Sequence, residues 1–82
     1  MTRAELINTY AAGVESGHFD SDLDSDTRAR VADMLRGVAY AVTAGAVTGT
    51  REETQHAYML ALTLRHPNYD AYTRSAEILS NI

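Results

Sequence analysis

Five carboxylates crowd into twelve residues of this chain: Glu15, Asp20, Asp22, Asp24 and Asp26 lie within ESGHFDSDLDSD, and no Arg falls among them. The segment carries −5, while the other 70 residues hold six carboxylates and seven Arg, for +1. Anionic groups at this density can gather a hard cation, steer and dock a basic surface, or cap and solvate a helix start. The cation reading is checked by counting. Asp22, Asp24, Asp26 and Asp33 stand at positions 1, 3, 5 and 12 of an EF-hand-like loop, but position 6 is Thr27 where the sharp turn calls for Gly, and position 12 lacks the bidentate Glu. A helix must also start inside that loop. The pattern predicts no metal and no other cofactor. It leaves docking, with carboxylates facing Arg or Lys on a larger protein, against the plainer role of Asp24 to Asp26 as helix-start groups.

A second concentration of chemistry spans residues 64–74 (LRHPNYDAYTR), where Arg65, His66, Asn68, Tyr69, Tyr72 and Arg74 mix donors and aromatic rings. Such groups anchor interfaces or stack on bases. Tyr69 and Tyr72 also fall on an apolar stripe, which makes them core candidates. The partner-binding set predicted from the sequence is Glu15, Asp20, Asp22, Asp24 and Asp26, assisted by Arg65, Tyr69 and Arg74.

Catalytic signatures are missing. There is no Cys, which excludes disulfides, thiolate metal sites and cysteine nucleophiles together. His18, His56 and His66 have no metalloprotease spacing, no Ser sits in a nucleophile elbow, and no glycine loop resembles a phosphate cradle. A helix-turn-helix DNA binder is disfavoured because Arg51, Glu52 and Glu53 would bring a net negative helix start to a polyanion.

Eighty-two residues with a net charge of −4 and 45% hydrophobic residues make one acidic domain with no room for a second. All seven cations are Arg, the usage of a GC-rich genome. No apolar run approaches the ~20 residues of a membrane span, and the first ten lack a secretory apolar core, so the expected address is the cytoplasm.

Four helices must position these groups. Thr2 with Glu5 has capping-box spacing, Leu6, Ile7, Tyr10 and Val14 share a face, and Gly17 supplies a left-handed stop, which predicts a helix over 3–16. Ser25 or Asp26 caps a second helix over 26–44 with the stripe Val31, Met34, Leu35, Val38 and Val42, and Asp26 with Arg30 at i,i+4. Thr50 and Glu53 repeat the capping-box spacing ahead of a third helix over 51–65, apolar on almost every side from residue 57 to 64 and therefore expected at the centre of the fold. Pro67 breaks the chain at His66, with a fourth helix over 68–80. The competing α+β arrangement makes residues 38–48 a small ribbon, against a helical spacing that runs unbroken to Val42.

The expectation is a compact all-α four-helix domain acting as a non-catalytic adaptor or inhibitor. It would dock through its acidic loop and occlude or bridge a larger protein with a basic surface, as small acidic proteins of phages and mobile elements do when they block a nucleic-acid-handling enzyme. Direct nucleic-acid or membrane binding is not expected. Two alternatives stand beside it. One is a nucleic-acid mimic, which needs carboxylates spread along a face. The other is a homo-oligomeric assembly component burying Met59, Leu62 or Ile78 between copies.

Overall fold

Thr2 holds the chain at its first turn: its hydroxyl accepts from the Glu5 N–H at 3.1 Å. Helix α1 (Arg3–Ser16) follows and ends where Gly17 turns left-handed at φ 83°. In this computed structural model, residues 1–63 and 69–82 are described, the side chains of residues 63 and 69 excepted. Helices α2 (Ser25–Thr43), α3 (Thr50–Thr63) and α4 (Tyr69–Asn81) complete an all-α four-helix domain with no strand among the described residues. The predicted break at His66 and restart at Asn68 lie outside the described residues. Of residues 38–48, the ribbon of the competing arrangement, 38–43 are the last turns of α2 and 44–48 form a connection without strand.

The caps differ from expectation at two starts. Asp24, not Ser25 or Asp26, caps α2: its backbone is extended and its carboxylate accepts from the Thr27 N–H at 2.7 Å, while Ser25 is already helical. At α3 the reach-back bond runs from the Thr48 N–H to the Glu52 carboxylate at 2.9 Å, because Glu53 is turned inward to another partner.

The core is built from Ile7, Ala11 and Val14 of α1, Val31, Met34, Leu35 and Val38 of α2, Ala57 and Ala61 of α3, and Ala71, Ile78 and Leu79 of α4. Helix α2, not the third helix, is central. It packs on all three others, whereas α1 meets chiefly α2. The reason is side-chain volume. The buried apolar residues of α2 include large groups facing several directions, while the buried apolar residues of α3 are Ala57 and Ala61. Bare Gly37 on α2 lets Leu60 of α3 seat close to the backbone, where an added Cβ would lie 2.6 Å from Leu60 Cδ1. With principal extents of 32 × 28 × 17 Å, the domain is a slab two helices thick. It consists of an α1–α2 hairpin against an α3–α4 hairpin.

Candidate functional site

The acidic segment lies in and beside the α1–α2 connection, and each of its five carboxylates has a partner inside the protein. Arg74 of α4 reaches back over 52 and 54 residues to close on two of them. Its Nη1 donates to Asp20 Oδ1 at 2.6 Å and Asp22 Oδ1 at 2.9 Å, and its Nη2 donates to Asp22 Oδ2 at 2.6 Å. Glu77 stands 3.8 Å from Arg74 Nε on the same helix. Hydrogen bonding by the guanidinium holds the Asp22 carboxyl below its usual range and pushes Arg74 further up. Asp20, its side chain nearly buried, adopts φ 53°, a left-handed conformation that Asp tolerates better than most residues. Burial first, then the Asp20 charge, raises the Tyr10 phenol, whose hydroxyl lies 3.5 Å from Asp20 Oδ2. Glu15 pairs with Arg36 across the α1–α2 hairpin. Asp26 pairs with Arg30 at 3.0 Å, as the i,i+4 spacing predicts. Asp24 is lowered by the Thr27 N–H it accepts from.

Arg28 adds a fourth cation. Its Nη1 donates to the Leu23 carbonyl at 3.2 Å, and its guanidinium lies over Gly17 at the negative end of α1, which has no basic residue of its own in the last turn. The segment that carries −5 in sequence is thus surrounded by Arg28, Arg30, Arg36 and Arg74 in space. This corrects the picture of an unbalanced anionic surface. The carboxylates that would coordinate in an EF-hand-like count go to separate protein partners, and among the described residues no group of three or more His, Cys, Asp or Glu could hold a metal ion.

The second predicted cluster divides. Arg74 belongs to the charge network just described. Arg65 and the Tyr69 side chain lie outside the described residues. Tyr72 is half-buried, and its ring meets Tyr58 of α3 with centroids 4.9 Å apart.

That ring pair leads to a surface that charge counting missed. On α3 the small residues Ala57 and Ala61 face inward, and the large ones, Tyr58, Met59 and Leu62, face outward at 46%, 58% and 53% exposure. Ile78, expected among the spare apolar residues, is instead buried at 5%. The outward strip carries no formal charge: from residue 54 to 63 the chain has no Asp, Glu or Arg. A hydrophobic helix whose bulk points to solvent is unusual for a lone domain and usual for one face of an interface. The sequence already offered Met59 and Leu62 as spare apolar surface, but a run that is apolar on all sides, AYMLALT, has no preferred face, so Tyr58 was not placed among them.

A shallow open groove of about 460 Å³ between the start of α1 and the end of α2 is lined by Thr2, Arg3, Ala4, Glu5, Asn8, Val42 and Thr43. It holds no buried acid–base pair, since Arg3 is committed to Glu53 and Leu79. No family model, curated protein or solved structure matches this chain. No helix among the described residues is long and apolar enough to cross a membrane.

Proposed function

We propose that this domain is a non-catalytic protein-binding module that docks on a larger protein through the outer face of α3, with Tyr58, Met59 and Leu62 entering an apolar cleft and the Tyr72 ring extending the contact toward α4. The observation that supports this reading is the inverted distribution of volume on α3, Ala57 and Ala61 inward against Tyr58, Met59 and Leu62 outward. Tyr is favoured at interface centres because it supplies large area with few torsions to freeze. The action is occlusion or bridging, which suits a small domain with one apolar strip on its surface.

The acidic segment supports docking less well. Its carboxylates are engaged by Arg74, Arg36, Arg30 and the Thr27 N–H, so a basic partner would share or compete for them and gain less than from unpaired carboxylates. The same pairing weighs against mimicry of nucleic acid, which needs carboxylates unengaged along one face. Self-association through α3 is the second reading, favoured by the exposure of Met59 and Leu62 on one strip.

The test compares two variants with folding verified by circular dichroism. Leu62→Asp with Met59→Asp places charge on the α3 strip, and Asp26→Asn with Glu15→Gln removes charge from the acidic segment. Partner capture from the source cells, followed by titration of the recovered protein, should fail for the first variant and persist for the second. Loss only in the second restores the acidic segment as the contact. A mass that doubles with concentration in light scattering, and returns to a single copy in the α3 variant, selects self-association.

A further inference from the structure

Of the six Arg side chains among the described residues, five are engaged within the protein. Arg3, Arg30, Arg36 and Arg74 pair with carboxylates, and Arg28 donates to the Leu23 carbonyl. Arg51 differs. It is exposed in the first turn of α3, and its guanidinium has no ion pair or hydrogen bond among the described residues. The two acids that follow it are occupied elsewhere: Glu52 turns back to the Thr48 N–H at 2.9 Å, and Glu53 turns inward to Arg3. Helix stability does not account for the placement either, because the positive end of the α3 dipole disfavours a cation there.

Its position along the helix does. Arg51, Gln55, Tyr58 and Leu62 follow one another at spacings of four, three and four, and all four are exposed. They therefore form one row down the outer face of α3, about 16 Å from the first Cα to the last. The row is apolar toward Leu62, carries an amide at Gln55 and ends in a cation at Arg51.

Resting on the reading that α3 docks in an apolar cleft, we infer that this cleft belongs to a larger protein and carries a carboxylate at the end that meets Arg51, three helical turns from the pocket that takes Leu62. An amphipathic helix laid in a groove is read through such a row of anchors. The planar guanidinium presents parallel N–H groups that match a carboxylate bidentately. At one end of an otherwise uncharged row, that pair fixes which way round α3 lies as well as adding affinity. A second copy of the chain supplies the carboxylate less well: the acid on the exposed face of α3 is Glu52, already bound to the N–H and hydroxyl of Thr48. The complement called for by this face is thus an acid, opposite in sign to the basic surface called for by the acidic segment.

The chain has no Lys, which makes the contact open to direct chemistry. Arg51→Lys keeps the charge and introduces the one side-chain amine, which a zero-length carbodiimide joins to a touching carboxylate. The probe is the protein recovered from the source cells on the immobilised unaltered chain and then purified. With that probe, Arg51→Lys should give an adduct whose linked peptides join position 51 to an Asp or Glu of the recovered protein. Arg51→Gln should bind it about tenfold more weakly, and high salt should narrow the gap. Adding Leu62→Asp to Arg51→Lys should abolish the adduct. Unchanged affinity in Arg51→Gln overturns the inference, as does binding with no adduct at position 51, or an adduct that joins two copies of this chain. If Leu62→Asp weakens binding while Arg51→Gln does not, docking through α3 stands and only the acidic end of the cleft falls. An adduct that survives Leu62→Asp overturns both.

Discussion

Arg3 and Glu53 show how much one pair can decide. The Glu53 side chain is only 5% exposed and both its oxygens are occupied by the guanidinium. Hydrogen bonding to that carboxylate raises Arg3 against the opposing effect of burial. Arg3→Ala leaves an acid buried without a counter-charge and should lower stability by about 3 kcal/mol, read as a fall in the urea midpoint. Replacing both by Met removes the stranded charge, and the double variant should recover most of that loss, because the pair's attraction is largely offset by its desolvation. Gly17 is decided by its backbone alone. At φ 83° a side chain is strained, so Gly17→Ala should cost about 1 kcal/mol by the same measurement, even though the nearest Arg28 atom is 3.5 Å from the added Cβ. Of these two features, Gly17 was legible from its place after a helical stripe. The Arg3–Glu53 pair was not, because 50 residues separate its members and no local spacing connects them.

At the scale of the helices, caps and faces respond differently to substitution. Thr2→Ala removes the hydroxyl that accepts from the Glu5 N–H and should cost about 1 kcal/mol. Leu79→Ala, at a residue 1% exposed, creates a cavity at the seam between hairpins and should cost about 3 kcal/mol. By contrast, Leu62→Asp on the outer face of α3 should change stability by no more than about 0.5 kcal/mol while abolishing partner binding, a split that separates a docking strip from a core. The start of α2 was placed to within a residue or two by its Ser and Asp content, since any of three neighbouring side chains could serve as cap. Only the backbone trace selects Asp24, whose extended ψ of 166° aims its carboxylate at the Thr27 N–H.

For the whole molecule, charge pairing predicts the response to acid. Asp22 and Asp24 sit below their ordinary range, the first because of Arg74 and the second because of the Thr27 N–H. A carboxyl that ionises more readily in the folded chain than in the unfolded one stabilises the fold above the ordinary Asp range, and that stabilisation disappears as pH falls through the lowered value. The urea midpoint should therefore hold steady from neutrality down to about pH 5 and decline below about pH 4, where the Arg74 clasp and the α2 cap are both titrated. Asp22→Asn should blunt the decline. If the midpoint were flat down to pH 2, the clasp would carry no stability.

What the chain alone determined was everything governed by near neighbours: four helices, the left-handed stop at Gly17, the Asp26–Arg30 pair, the inward stripe from Val31 to Val38, and the absence of the side-chain types that thiolate chemistry requires. These follow from three- and four-residue geometry, which any copy of the sequence carries wherever its helices lie. Tertiary structure decided the rest. It made α2 the hub, turned Ile78 inward and Met59 outward, and brought Arg74 onto Asp20 and Asp22, so that a segment anionic in sequence is matched by cations in space. The reason is physical: charges more than 50 residues apart acquire partners only when helices are set side by side, and a helix apolar all round takes its buried face from whichever neighbour it meets.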